Sequence, residues 1–512
     1  MVICAEFDCV NLYMPSLKKN IIANYAGQIW TAFMMIAFIP YYLKILGPES
    51  FGLVGIMLSL QAISQLFDFG LGGAANRELA RRSALPGNAA SISTLIRTLE
   101  WVVWPMSIFV GMLIFFSSEG LTTHWLNEQT LGHLQVVKSL MLIGFVVAML
   151  WPSNFYLNCL SGLEQQPLLN FVTAIFATLR NAGVLLVLYY ISPTITAFLW
   201  WNAGVAAIQS LLLAMIVWKK LPETVEITKF STKELKHVLK FSSGVFLISL
   251  LALVLTQIDR FLLAKLQPLT ELGYYTVAVS VSAGVGRMIQ PMFNAIYPRF
   301  SRLVARGDSN SLECLYHSSS QFSSVVLSSF SAILIVFSEQ ILFLWTGDQV
   351  VVSKLKFVLP MLLLSTTLNG FVNIPYALQL ANGWTGLGIG YNSIGLLLGV
   401  PFCFFAVQHF GMIGAASLGL LLNLSYIFIE VPLMHCRLLK GQWLLWFFSD
   451  TLPPLFAAFA MAIVTYAMFS GVDRSIIGAL KLILISILVI FSASLASQVV
   501  RNSAKDWLLC NK

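Results

Sequence analysis

The sequence predicts an all-α integral membrane protein of about 14 transmembrane helices, and three observations carry that prediction. Of its 512 residues, 58% are hydrophobic and only 10% charged, against about 25% charged in soluble domains. From Phe357 to Ile429 there is no Asp, Glu, Lys or Arg. Apolar runs of about 20 residues, enough to cross about 30 Å of hydrocarbon, recur along the chain. They are too long and too little alternating for a β-barrel.

Lys18 and Lys19 precede the first run with no small-residue cleavage site after it, so the reading has no cleavable signal peptide. Met14-Pro15-Ser16-Leu17-Lys18-Lys19 reads as the start of the mature chain, with residues 1–13 disordered or absent. The first six spans are expected at roughly 20–46, 51–75, 99–118, 136–160, 169–191 and 195–218. A hydrophilic stretch near 219–240 follows. The remaining spans are expected at roughly 238–265, 272–297, 314–337, 353–380, 385–408, 413–435, 449–470 and 477–500.

Basic residues set the orientation. With the N-terminus inside, 20 of the 30 Lys and Arg fall in inner segments, seven in outer segments and three within spans. Both termini are therefore expected in the cytoplasm, and an even helix count is required. The basic excess lies in short loops between spans, which argues against nucleic-acid binding. Six of the seven cysteines fall on the inner side and Cys403 within a span, so no disulfide framework or metal site is implied.

The two halves resemble each other. Leu46-Gly47-Pro48-Glu49-Ser50-Phe51-Gly52 follows the first span, and Leu266-Gln267-Pro268-Leu269-Thr270-Glu271-Leu272-Gly273 follows the seventh. The second span ends in Asn76-Arg77-Glu78-Leu79-Ala80-Arg81 and the eighth in Pro298-Arg299-Phe300-Ser301-Arg302. This predicts two pseudo-symmetric six-helix lobes plus two extra C-terminal helices. The expected division is residues 1–19 as a cytoplasmic segment, 20–236 as the N-lobe with its linker, 237–445 as the C-lobe, and 446–512 as the last two helices and tail.

Polar residues inside spans point to the site. Arg180, Arg260 and Arg287 lie within apolar runs, where an arginine at mid-bilayer costs roughly 2.5–3.5 kcal/mol on insertion scales. Residues at helical spacing form polar or small stripes: Asn24, Gln28 and Thr31 on the first span; Gln61, Gln65 and Asp68 on the second; Ser249, Ala252, Thr256 and Asp259 on the seventh; Thr276, Ser280, Gly284, Arg287, Gln290 and Asn294 on the eighth. Small and polar residues also serve as ordinary interhelical packing, and that reading stands beside the cavity reading. For Arg287, roughly 22 Å along its span, the expectation is a charge-assisted clamp on an anion, with a buried structural ion pair as the alternative. Arg180 either widens a cavity surface or pairs internally. Asp259 faces the cavity as a proton or cation site or as a partner of Arg287, while Arg260 snorkels outward. Asp68, beside Gly70, Gly72 and Gly73, anchors a bend or gate, and it is the second candidate for ion coupling. Arg77, Arg81, Arg299 and Arg302 form a basic rim at the cytoplasmic mouth.

Phe67-Asp68-Phe69-Gly70-Leu71-Gly72 followed by Arg77-Glu78-Leu79-Ala80 resembles the second-helix signature of polysaccharide flippases, within the multidrug/oligosaccharidyl-lipid/polysaccharide exporter superfamily. Asp259-Arg260-Phe261-Leu262-Leu263, Leu272-Gly273-Tyr274-Tyr275 and Pro298-Arg299-Phe300-Ser301 are similar to further segments of that family. The resemblance implies a V-shaped central cavity walled by helices one, two, seven and eight. It implies a flippase that moves an undecaprenyl-diphosphate-linked oligosaccharide, such as an O-antigen repeat unit, between leaflets of the bacterial inner membrane. Membrane lipids, a glycan polymerase and chain-length regulator proteins are the partners it suggests; H+ or Na+ is the candidate coupling ion, and no cofactor is implied. A cation-coupled drug exporter of the same superfamily is the alternative. A membrane glycan polymerase is the remote one, since the longest outer loop, around 119–135, carries Glu119, His124, Glu128 and His133 at no recognisable spacing.

This topology makes a direct prediction. Reporter fusions at Asn127 and Asp473 read outside and fusions at Thr228 and Lys505 read inside; an outside reading at Thr228 contradicts the two-lobe arrangement.

Overall fold

The computed structural model describes residues 27–64, 71–83, 89–221, 230–468 and 476–501, with backbone alone at 237, 239–249, 476 and 479. Every regular element among these residues is helical. Those used below are α1 (Gly27–Ala37), α2 (Ile39–Ser64), α3 (Leu71–Ser83), α4 (Ala89–His124), α5 (His133–Gly162), α6 (Gln166–Tyr190), α7 (Ile195–Lys220), α8 (Thr232–Leu266), α9 (Leu269–Gly286), α10 (Ile289–Arg306), α11 (Ser309–Val336), α12 (Ser338–Thr346), α13 (Gln349–Leu355), α14 (Val358–Ala381), α15 (Gly386–Arg437), α16 (Trp443–Met468) and α17 (Ile476–Ala496). Among the described residues nine helices are long and apolar enough to cross a membrane, and Gly27–Ala37 and Leu480–Ala496 are shorter apolar helices. The structure therefore supplies a multi-pass helical membrane protein, but not a count of 14. Asn24, Gln65, Asp68 and the region of Met14 lie outside the described residues.

The chain forms two compact units, Met1–Leu253 and Val254–Lys512. In the first, α5 is the hub, packing on α2, α3, α4 and α7. Leu95, Leu99, Phe155, Tyr156, Leu160 and Leu213 belong to its buried core. Large apolar side chains such as Phe109, Phe116, Leu186 and Ile208 point outward, as they must where hydrocarbon replaces water as solvent. A polar node sits inside this apolar unit. The Glu100 carboxylate accepts from Tyr156 Oη at 2.8 Å, Trp218 Nε1 at 2.7 Å and Arg97 Nη1 at 3.1 Å. At one end Arg82 donates to Glu234 at 2.7 Å and to the Ser91 hydroxyl at 2.7 Å, holding the start of α8 against α3 and α4. At the loop joining α4 to α5, Glu49 accepts from the backbone N–H of Gln129 at 2.6 Å, Thr130 at 2.8 Å and Leu131 at 3.3 Å.

In the second unit α11 packs on α14, α16 and α17, and α14 packs on α9, α10 and α15. Ala332, Ala458, Ala462 and Ala493 sit fully buried where the last two helices meet α11; small side chains let helices approach closely in the absence of a hydrophobic drive. Asp450 of α16 strengthens the seam by accepting from Gln321 Nε2 at 2.9 Å and His317 Nδ1 at 2.5 Å.

Breaks within helices shape both units. Gly47 (φ 79°) kinks α2 and Gly411 (φ 55°) folds α15, a left-handed backbone that glycine adopts without a Cβ penalty. The expected eighth span, drawn as one helix over 272–297, is instead two: α9 ends at Gly286 and α10 starts at Ile289. The cause is Pro291, which has no N–H for the carbonyl of Arg287 and whose ring would collide with it. Arg287 and Met288 close α9 by bonding to Ala283 O and Val285 O.

Removing the Glu100 carboxylate strands two donors inside the first unit, Tyr156 Oη and Trp218 Nε1, and releases the partly exposed Arg97. Glu100→Ala is expected to lower stability by about 2–3 kcal/mol, and Glu100→Gln, which keeps an acceptor, by less. Thermal unfolding of the purified protein in detergent checks the order; equal melting temperatures for wild type and Glu100→Ala contradict it.

Candidate functional site

Arg180 belongs to the first unit and lies in a π-helical turn, Leu179–Gly183, within α6. Such turns carry a wider backbone ring and recur at functional sites. Its neighbours hold the turn in place. Trp201 Nε1 of α7 donates to Leu179 O at 2.9 Å, and Tyr42 Oη of α2 donates to Asn181 O at 2.6 Å. A Cβ on Gly183 would meet the Trp201 ring at 2.6 Å, so the close approach requires glycine. The Arg180 guanidinium donates through Nη2 to Gln209 Oε1 at 2.7 Å, while its buried Nε has no acceptor among the described residues. A neutral amide thus orients the cation without cancelling its charge. Two polar side chains earlier on α6 bond within the helix: Thr173 bonds Leu169 O and Asn170 bonds Gln166 O. Asn170 also lies against Gly27 of α1, which is interhelical packing.

Gln28 is exposed, Gln61 is half-buried and Thr31 bonds back to Gly27 O. Arg77 and Arg81 are exposed, Arg81 pairing with Glu78 at 2.8 Å.

In the second unit Asp259 and Arg260 sit on α8. Asp259 accepts from Tyr275 Oη of α9 at 2.6 Å and from the Arg260 backbone N–H at 2.8 Å. Arg260 Nη1 donates to Gln257 Oε1 at 3.2 Å. Asp259 is therefore drawn into the α8–α9 contact, while the Arg260–Gln257 bond stays within α8. Thr256 is exposed on the same helix. The hydroxyls of Thr276 and Ser280 are buried and spent on Leu272 O and Thr276 O of their own helix.

Arg287 occupies the junction of α9 and α10 and is half-buried. The carbonyl end of α9 carries partial negative charge, so the break favours a guanidinium there. Gln290 donates to Asn294 at 3.0 Å, both exposed. Arg299 and Arg302 are exposed further along α10. One group that the sequence reading passed over stands out. Glu430 closes a second π-helical turn, Tyr426–Glu430, in α15 and is buried. It ends the charge-free run, a signal that was present in the sequence. Among the described residues no group of three His, Cys, Asp or Glu could hold a metal.

A family model described as polysaccharide biosynthesis protein matches residues 17–304, and a second, described as MatE, matches residues 245–405. A putative O-antigen transporter of Shigella flexneri is 21% identical over 406 residues, spanning 78% of this chain and 93% of that one. The fold is similar to an inward-facing multidrug resistance MATE family transporter of the MOP superfamily, with TM-score 0.67 at 14% identity over 79% of this chain and 96% of that one. It is also similar to the lipid II flippase MurJ in an inward closed conformation, with TM-score 0.66 at 15% identity over 93% of this chain and 97% of that one.

The Arg180–Gln209 bond can be separated from the role of the charge. Gln209→Leu strands the guanidinium and is expected to cost about 2 kcal/mol, measured by thermal unfolding. The double variant Arg180→Leu with Gln209→Leu recovers most of that loss. If the double variant is less stable than Gln209→Leu alone, the amide does not serve the arginine.

Proposed function

We propose that this chain, which belongs to the polysaccharide biosynthesis protein family, moves an undecaprenyl-diphosphate-linked oligosaccharide, an O-antigen repeat unit or a similar glycan, from the inner to the outer leaflet of the bacterial inner membrane by alternating access. The chain is a flippase of the MOP superfamily, a transporter and not an enzyme. A lipid-linked oligosaccharide and the surrounding membrane lipids are its partners.

The observation that carries the finer reading is the placement of Arg287 at a helix break within the apolar part of the second unit. Interrupted helices expose backbone ends and polar side chains where transporters hold their substrates. A guanidinium keeps its charge there and offers a planar fork that fits phosphate oxygens. Arg180, oriented by a neutral amide, supports the same reading in the first unit. An anionic lipid head suits such groups, whereas a cationic drug calls for carboxylates.

Transport energetics are consistent with this substrate. Each charge moved through 100 mV is worth about 2.3 kcal/mol, so a diphosphate with two negative charges gains about 4–5 kcal/mol on leaving an inside-negative cell. The sequence has no GxxxxGK[ST] nucleotide loop. A coupling H+ or Na+ would be taken at Asp259, the carboxylate that ties α8 to α9, or at Asp68. Arg77 and Arg81 in the first unit, and Arg299 and Arg302 in the second, are exposed and would stand on the cytoplasmic side.

Arg287 is the decisive position. In a flippase-deleted host, Arg287→Ala and Arg287→Gln abolish surface glycan while the protein remains abundant in the membrane, because removing the charge relieves an insertion penalty. Arg287→Lys keeps the charge but loses the fork and retains partial export. A normally abundant, fully active Arg287→Ala variant overturns the anion-clamp mechanism.

A further inference from the structure

Three tyrosines from two helices of the second unit lie near one buried carboxylate, and a fourth, Tyr297 of α10, adjoins them through Phe293. Glu430 is 8% exposed, and among the described residues no hydrogen bond or ion pair engages its side chain. Tyr426 precedes it by one helical turn on α15, Tyr391 packs on Tyr426, and Tyr376 of α14 lies within electrostatic reach of it. Tyr376 in turn lies within reach of Tyr297 on α10. The rings form two groups. Phe293 stacks on Tyr297 at 5.5 Å and 9°, and on Tyr376 at 6.2 Å and 29°. Tyr391 and Tyr426 lie 5.3 Å apart, and Tyr426 Oη donates to Asn392 Oδ1 at 2.8 Å.

A carboxylate used as interhelical glue is paired, because burying it alone forfeits hydration without return. Asp259, Glu100 and Asp450 are each bonded in that way. Among the described residues Glu430 is the buried acid without such a bond, and it sits where aromatic side chains gather. A carboxylate accepts hydrogen bonds only, and an aromatic ring offers an apolar face with a polar phenol at its edge. A pyranose ring presents the complement of both: hydroxyl donors around its rim and an apolar C–H face.

The cluster also has a side. Glu430 lies seven residues before Arg437, about 10 Å along the helix, and Tyr297 lies two residues before Arg299. Tyr376 is close to the end of α14 at Ala381, and Tyr391 is close to the start of α15 at Gly386. This is the Arg-rich end of the unit, the end that basic-residue bias assigns to the cytoplasm. Tyr297 is ten residues beyond Arg287, roughly 15 Å along α10. A diphosphate at Arg287 would leave its glycan extending toward the tyrosines.

We propose that Glu430, with Tyr297, Tyr376, Tyr391 and Tyr426, forms a pyranose-binding subsite that receives a neutral sugar of the transported glycan through its hydroxyls and ring face. This rests on the flippase reading given above.

The test uses the full-length protein in lipid nanodiscs and two probes, undecaprenyl diphosphate and undecaprenyl diphosphate carrying one N-acetylglucosamine. Wild type binds the sugar-bearing lipid about tenfold more tightly than the bare lipid. Glu430→Leu and Tyr376→Leu bring the two affinities together while leaving that for the bare lipid unchanged. Glu430→Gln, which keeps the shape, lowers the ratio severalfold and guards against misfolding of the leucine variant. Equal binding of the two lipids by wild type, or variants that keep the full ratio, overturns the subsite and leaves the flippase reading standing. If wild type binds neither lipid and instead binds tetraphenylphosphonium in a Glu430-dependent way, both readings fall.

Discussion

A guanidinium in hydrocarbon keeps its proton, so the protein around it must supply what water would have supplied. That constraint organises both units. In the first, a π-helical turn in α6 presents Arg180 to the Gln209 amide, and Trp201 and Tyr42 cap the carbonyls that the turn displaces. In the second, Pro291 ends the hydrogen-bond ladder of α9 and leaves Arg287 at a carbonyl-rich helix end. Each cation sits at an irregularity in a helix. The irregularity is what makes polar backbone available in an otherwise apolar span.

Acids follow a different rule. Glu49, Glu100, Asp259 and Asp450 each collect hydrogen bonds from two or more donors. They act as joints: Glu49 ties down the loop between α4 and α5, Glu100 the middle of the first unit, Asp259 the α8–α9 contact, and Asp450 the α11–α16 contact. These joints hold the scaffold, whereas Arg180 is met by a neutral amide. Glu430 departs from the rule: it is buried among aromatic side chains without such a bond among the described residues.

Much of this was legible in the sequence, because hydropathy and charge placement act one residue at a time. The apolar spans, the in-span arginines and the turn at Gly47-Pro48 all come from local pattern. The break at Arg287–Met288 was readable in principle from Pro291, but a periodic polar stripe running from Thr276 to Asn294 argued for one continuous helix. The stripe misled at Thr276 and Ser280, whose hydroxyls bond within their own helix. Arg180's partner was out of reach: Gln209 is 29 residues away on another helix, and no local pattern couples them. Glu430 was visible as the end of the charge-free run, yet its tyrosines come from segments brought together only by packing.

The claim that the arginines handle an anionic lipid head is tested most directly by voltage. Proteoliposomes carrying the full-length protein and a fluorescent undecaprenyl-diphosphate-linked N-acetylglucosamine report movement between leaflets under an imposed potassium gradient with valinomycin. The account predicts that outward movement accelerates severalfold at an inside-negative potential of about 100 mV and slows when the potential is reversed. A rate that is the same at negative, zero and positive potential contradicts it.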